Sequence, residues 1–129
     1  MDFPSELRYT EDHEWIRIDG STASIGITDF AQGELGEIVY VEVDTVGETL
    51  AKGEVFGTVE AVKTTSELYM PVSGKITAFN SEIDESEEDN PGIINEDPYG
   101  KGWIITIEMA DPSEISDLLS SDVYKEIVE

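Results

Sequence analysis

GEVFGTVEAVKTTSELYMPVSGKI, Gly53 to Ile76, decides the fold, and its centre is Lys63. Val55-Phe56-Gly57-Thr58-Val59 is rich in branched and aromatic residues and reads as a β-strand; Ser66-Glu67-Leu68-Tyr69-Met70 reads as its partner. Folding the chain back about Val62-Lys63 sets Ala61 against Thr64, Glu60 against Thr65 and Phe56 against Tyr69, which gives the apolar pair a cross-strand contact. Lys63 then stands in water at a hairpin tip. That tip has no Asn-Gly or Asp-Gly dipeptide, so something other than turn chemistry explains the sequence there.

A surface lysine needs no special explanation. Lys63 is nevertheless set apart, because the chain has five lysines among thirty acidic residues and yet its immediate neighbours are neutral, the nearest carboxylates being Glu60 and Glu67. An amine that is to be acylated must be reachable by a modifying enzyme and carried on a rigid frame, and a hairpin tip meets both needs.

Working outward, 129 residues is the size of one domain, and 39% apolar residues suffice for one modest core. The formal charge of −23 repels phosphate backbones and anionic lipid, so nucleic-acid and membrane-surface roles are disfavoured. It suits solubility and basic protein partners, and adaptation to high salt would give the same composition. With no cysteine there is neither disulfide nor thiolate catalysis, which fits a reducing compartment. Met1-Asp2-Phe3-Pro4 opens without an apolar or Arg-rich leader, and no apolar run approaches membrane length, so the chain is expected to be soluble and cytoplasmic. His13 is the only histidine, which rules out a metal site of several imidazoles, and no Gly-x-Ser-x-Gly elbow accompanies it. A structural or surface role is expected for it, with neither catalytic nor metal residues in the chain.

In His13-Glu14-Trp15-Ile16-Arg17-Ile18, Ile16 and Ile18 alternate with Arg17 as in a half-buried strand, and Asp19-Gly20 turns it into Thr22–Ile27. Thr28 caps a short helix near 28–33, with Gly33 and Gly36 as stop signals. Gly36–Val43 is a further strand. Gly36-Glu37-Ile38 resembles Gly74-Lys75-Ile76, and Val55–Glu60 resembles Trp103–Glu108, at offsets that place a ten-residue insertion in the acidic loop 82–90. Two β-rich halves of similar pattern imply two sheets packed face to face with quasi-twofold symmetry, although any two hairpins look somewhat alike. Near the end, Asp111-Pro112-Ser113-Glu114 reads as an N-cap, a proline at the first helical position and a capping-box glutamate, with Ile115, Leu118 and Leu119 on one face. A second helical turn carries Val123, Tyr124, Ile127 and Val128. These C-terminal helices are expected to cover an open end or face of the sandwich.

Val59 to Gly74, VEAVKTTSELYMPVSG, resembles the lipoyl-attachment segment of the glycine cleavage system H-protein family. His13-Glu14-Trp15, Gly26–Asp29 with Gly36–Val39, and Asn95–Tyr99 with Gly102-Trp103 match that family too, so the likeness runs over nearly the whole chain. It implies a mainly β barrel-sandwich hybrid of the lipoyl and biotinyl carrier type, one domain over 1–129 with an attachment hairpin at 53–76 and a helical segment at 111–128. It further implies that Lys63 carries lipoic acid as N6-lipoyl-lysine, and that the protein is a carrier and not an enzyme. The arm would accept the aminomethyl group of glycine from the pyridoxal-phosphate decarboxylase (P protein) and deliver it to the tetrahydrofolate-dependent aminomethyltransferase (T protein). Dihydrolipoamide dehydrogenase (L protein) would then reoxidise it, lipoate-attaching enzymes having loaded it first. Glu60 is expected to be read by the modifying enzyme as a charge, with Gly57 and Gly74 setting turn geometry beside it. The family's arm-binding carboxylates match Glu14 and Glu67, while Asp12 and Glu34 stand where some relatives have serine and histidine. A biotin carrier would flank the lysine with methionines, and a 2-oxoacid dehydrogenase lipoyl domain would place Asp-Lys-Ala at the tip; Val62 and Thr64 fit neither. A lipoate-relay protein and an unmodified β-rich binding module are the other readings the sequence allows.

Overall fold

The computed structural model describes residues 2–128; Met1 and Glu129, the ends of the expected 1–129 unit, lie outside the described residues. The chain begins with β1 (Arg8–Tyr9), β2 (Glu14–Asp19), β3 (Thr22–Ile27) and helix α1 (Asp29–Leu35). Next come β4 (Ile38–Glu42), β5 (Thr49–Leu50), β6 (Val55–Ala61), β7 (Thr65–Tyr69) and β8 (Gly74–Phe79). A short helix α2 (Ile93–Glu96), β9 (Ile105–Met109), a 3-10 helix (Pro112–Asp117) and α3 (Ser121–Val128) complete it. The strands form two antiparallel sheets, one ordered β1-β2-β3-β9-β8-β5 and the other β4-β6-β7.

Alternation along the strands turns Ile16, Ile25, Ile76 and Ile107 of the larger sheet and Val41, Val59 and Leu68 of the smaller into one buried cluster. On β2 the next residue back, Trp15, points the other way into a second cluster with Leu7, Tyr9, Tyr99 and Tyr124. Helix α3 supplies Tyr124, stacked on Tyr9 with ring centroids 4.8 Å apart. The C-terminal segment therefore covers a face of the larger sheet, as its pattern implied.

Several local expectations are corrected. Val55 lies opposite Tyr69 and Gly57 opposite Leu68, so Phe56 does not face Tyr69: it is the extra residue of a β-bulge and goes into the core. Helix α1 runs through Gly33 to Leu35, because a glycine inside a helix costs stability without stopping it; only Gly36, at φ 80°, ends the helix. Asp111 does cap the 3-10 helix through Ser113 N–H, but Glu114 forms no capping box. Its carboxylate finds two better-placed donors, the Ser73 N–H (2.7 Å) and hydroxyl (2.9 Å), and pins the β7–β8 connection instead. Leu119 leaves the helical face to pair with Tyr9 as a β-bridge, which divides the segment in two.

The repeat is real in part. The β4–β6 and β8–β9 pairs are both antiparallel, with bulges at Ile38/Tyr40 and Ile76/Ala78, matching places at the 38-residue offset. The longer second connection contains the acidic loop 82–90. The likeness does not extend to the whole sheets, one of which has six strands and the other three.

Gly57 and Gly74 lie within strands, not turns, and neither has positive φ. A Cβ at Gly57 would stand 2.5 Å from the Glu42 carbonyl oxygen, and one at Gly74 would stand 2.6 Å from that of Glu108. Both glycines allow close approach of paired backbone, which cannot shift without breaking its ladder. Gly57→Ala and Gly74→Ala are therefore expected to lower the unfolding free energy in urea by about 1–3 kcal/mol each. Gly33→Ala, in a helix with open space around it, should raise it by about 0.5–1 kcal/mol.

Candidate functional site

Strands β6 and β7 carry Val62 and Lys63 at their tip, with Glu60 opposite Thr65 and the Ala61 N–H bonded to the Thr64 carbonyl (2.8 Å). Neither loop residue has positive φ, so the primed turns that suit two-residue hairpins are absent. The tip is held from outside: the Val62 N–H donates to the Glu37 carbonyl at 3.0 Å. Lys63 is exposed and makes no hydrogen bond or ion pair with a described residue. Its stem lies over Gly36, where a Cβ would come 3.4 Å from Cε and 3.8 Å from Nζ. The amine is thus available to a modifying enzyme while the backbone beneath it is fixed.

Beside the tip lies a cavity of about 260 Å³ between α1 and the β6–β7 hairpin. Its floor is apolar, made by Ile27, Phe30, Leu35, Val59 and Leu68, and its rim carries Asp12, Glu34 and Glu67. Leu35 lines the cavity, and Gly36, the next residue in the chain, lies under the Lys63 side chain, which is not itself part of the lining. An apolar floor of this size fits an aliphatic chain that ends in a dithiolane, and a carboxylate rim fits an amine carried on it.

His13 lines the same cavity, with φ 68° in the left-handed region that costs a non-glycine residue energy. Its Nδ1 is 2.9 Å from the Tyr124 hydroxyl, which is in turn 2.7 Å from Thr28 Oγ1, the N-cap of α1. The structural role expected for His13 is present, and it also shapes the cavity wall.

The proposed arm-binding carboxylates are placed differently. Glu67 is exposed on the rim. Glu14 is 1% exposed, lies outside the cavity lining, and accepts a 2.7 Å hydrogen bond from the Tyr69 N–H; its Oε1 is buried with no hydrogen-bond partner among the described residues. Burial, reinforced by the charge of Asp12 and opposed by the Tyr69 N–H, pushes the Glu14 carboxyl up to about 8. Glu60 is exposed on β6, three residues from Lys63. Gly57 and Gly74 belong to the frame.

Sequence reasoning missed the parts that hold the tip: Gly36, the Glu37 carbonyl and Asn95. The Asn95 Nδ2 donates to the Gly36 carbonyl (2.8 Å) and to Gln32 Oε1 (2.9 Å), and its Oδ1 accepts from the Ile38 N–H (2.9 Å). All three residues fall in blocks already recognisable as landmarks, but nothing in the one-dimensional pattern says that they meet.

Two unclosed sheets in a barrel-sandwich arrangement define the fold class of carrier proteins of the lipoyl and biotinyl type, and the braced hairpin tip carries a lysine with no partner among the described residues. The glycine cleavage H-protein family model matches residues 7–129, and the chain belongs to that family. It is 56% identical over 127 residues to the glycine cleavage system H protein of Salinibacter ruber, covering 98% of this chain and 99% of that one. The Bacteroides thetaiotaomicron H protein is 52% identical over 128 residues, with coverage of 99% and 98%. Among solved structures, a glycine cleavage system H protein from Mycobacterium marinum superposes with a TM-score of 0.84 at 37% identity, covering 96% and 97% of the two chains. The chain is accordingly a carrier protein of the glycine cleavage system.

The position of Glu14 has a consequence for pH. Its folded value, about 8, lies above its ordinary 4.5, so between these values the folded chain holds a proton that the unfolded chain has released. The stability contributed by the neutral carboxyl is complete below about pH 4.5, falls by up to about 1.4 kcal/mol per pH unit as pH rises, and levels off above about 8. Urea unfolding at several pH values, parent against Glu14→Gln, isolates this group from the other acids. The stability difference, parent minus variant, should decline steadily from pH 5 to pH 8; a pH-independent difference contradicts it.

Proposed function

We propose that Lys63 carries lipoic acid in amide linkage and that this chain does no catalysis of its own, serving as substrate to the P, T and L proteins in turn. The observation that carries this reading is an exposed, unpaired lysine on a tip held by tertiary contacts beside an apolar trough with a carboxylate rim. In the attachment step the deprotonated Lys63 Nζ attacks the carbonyl carbon of an activated lipoyl donor. The amide bond forms, the activating group departs with its bonding electrons, and the amine releases a proton to solvent. When attached, the lipoyl group supplies a dithiolane able to take up and give back an aminomethyl unit.

The roles of the chain's residues follow from their places. Lys63 sets the reach of the arm, and tethering raises its effective concentration at a docked active site. Ile27, Phe30, Leu35 and Leu68 exclude water from an arm lying in the trough, and Glu67 pairs with an amine there. Glu14, neutral and buried, acts through the Tyr69 N–H, two residues beyond Glu67. Glu60 offers the attaching enzyme a charge near the tip, while Gly57 and Gly74 keep the frame close-packed. Among the described residues no helix is long and apolar enough to cross a membrane. The partners proposed include neither membrane nor nucleic acid, and the working place proposed is the cytoplasm.

Intact-mass measurement and peptide mapping after incubation with an ATP-dependent lipoate–protein ligase should show one lipoyl group, on Lys63. Lys63→Arg should keep the fold and take none, since arginine preserves the charge but offers no acylable amine, and Glu60→Gln should be loaded more slowly with unchanged thermal unfolding. A lipoyl group on Lys52, Lys75, Lys101 or Lys125 with Lys63 bare contradicts the assignment. For the trough, the readout is spontaneous release from the aminomethyl-loaded protein at neutral pH. Glu67→Gln should release its cargo faster than the parent and Glu14→Gln should have the smaller effect; parental rates in both, singly and together, would remove the protective role.

A further inference from the structure

We propose that Asn95 is a positioning residue for the acylation of Lys63, acting through the Glu37 carbonyl on which the hairpin tip hangs. The proposal rests on the reading of Lys63 as the attachment site and adds to it the residue that aims the amine.

The argument begins with what the tip lacks. Val62 and Lys63 form a two-residue loop without positive φ, so local turn chemistry does not impose one geometry on it. Its backbone bond to the rest of the fold runs from the Val62 N–H to the Glu37 carbonyl. Glu37 is an exposed residue just after the end of α1, where Gly36 adopts φ 80° and ψ −154°, a conformation that an unsupported glycine shares with many others. The position of the Glu37 carbonyl therefore depends on what fixes its own peptide group, which it shares with the Ile38 N–H, and the peptide group before it.

One side chain fixes both. Asn95 donates to the Gly36 carbonyl before Glu37 and accepts from the Ile38 N–H after it, while its second Nδ2 hydrogen goes to Gln32 Oε1 in α1. The pattern sets the orientation of the amide, since a flipped Asn95 would face two carbonyl oxygens with its own oxygen and an N–H with its NH₂. Neither aspartate nor leucine of similar size satisfies all three. Asn95 is itself held: it follows Ile94, which is fully buried in the main core, and precedes Pro98, whose carbonyl accepts the Trp15 indole N–H at 2.9 Å. A chain of short contacts thus runs from the core through Asn95, Gly36 and Ile38, and Glu37 to Val62, and ends one residue from the reacting amine. Acyl transfer to that amine needs Nζ within bonding approach of a carbonyl carbon held in another protein, and a tip displaced by an ångström or so misses that alignment.

The test separates aiming from folding. Asn95→Ala loses all three bonds and Asn95→Asp loses both donations, whereas Asn80→Ala is the control. Asn80 is a buried asparagine whose amide likewise ties two carbonyls, those of Lys101 and Trp103, in a different part of the fold. With each variant shown to be folded by circular dichroism at the assay temperature, lipoylation by the ATP-dependent ligase is followed at saturating ATP and lipoate. Asn95→Ala should lose about tenfold or more in kcat with KM changed less, Asn95→Asp should fall between it and the parent, and Asn80→Ala should match the parent. Amide exchange of Val62, read by NMR, should quicken in Asn95→Ala while that of Leu68 stays slow. A parental kcat in Asn95→Ala, or an equal loss in Asn80→Ala, overturns the proposal. If Asn95→Ala does not fold, Gln32→Ala, which removes one of the three bonds, should still lower kcat, and a parental value overturns the proposal. If the parent takes no lipoate on Lys63, the attachment reading fails, and the exchange measurement still decides whether Asn95 holds the tip: unchanged Val62 protection rejects it.

Discussion

Each of the two sheets has an apolar face that only the other can cover, and this mutual burial is the constraint from which the remaining geometry follows. Val59 of β6 and Leu68 of β7 point into the shared core opposite the isoleucines of the larger sheet. With a side-chain period of two, a slip of one residue would turn both into water, so the register of the hairpin is set by the core and not by its loop. The bulge at Phe56 serves the same end, since it buries one more large side chain without disturbing the pairing nearer the tip. A lysine four residues beyond Val59 must then project past the end of the sandwich.

Burial explains the direction of Lys63 but not the steadiness of its support. The loop is too short to pack and lacks the residues for a primed turn, and it obtains order from the junction of α1 and β4. That junction is itself irregular, with a left-handed glycine followed by the bulge at Ile38/Tyr40. Irregular backbone near a functional group is stable only where side chains saturate its polar groups, and here one asparagine amide does so.

The blocks on which the family likeness stands are places where distant segments exchange hydrogen bonds. Trp15 donates to the Pro98 carbonyl, Arg17 to that of Tyr99, and the Asp29 N–H to the Tyr99 hydroxyl, while Tyr124 connects His13 to the cap of α1. Glu14, between His13 and Trp15, reaches across to β7. A carboxyl can be buried there because it need not ionise: removal from water, with the charge of Asp12 adding to it, makes neutrality cost less than charge.

The sequence by itself determined the β-rich halves, the hairpin and the lysine at its tip, because alternation of apolar residues and Asp-Gly at the first turn are local signals, while the barrel-sandwich class came from the resemblance that four ordered motifs carry. It also showed that the loop lacked a turn of its own. Only the tertiary structure decided where the missing support comes from, that Gly57 and Gly74 serve close strand approach, that Glu114 serves Ser73 and not its own helix, and that Glu14 is buried away from the trough while Glu67 stands on its rim. The physical reason is the same in each case. A side chain's role depends on which donors, acceptors and carbonyls lie within about 3 Å of it, and for Asn95 and Gly36, 59 residues apart in the chain, that neighbourhood exists only after the sheets have closed on each other.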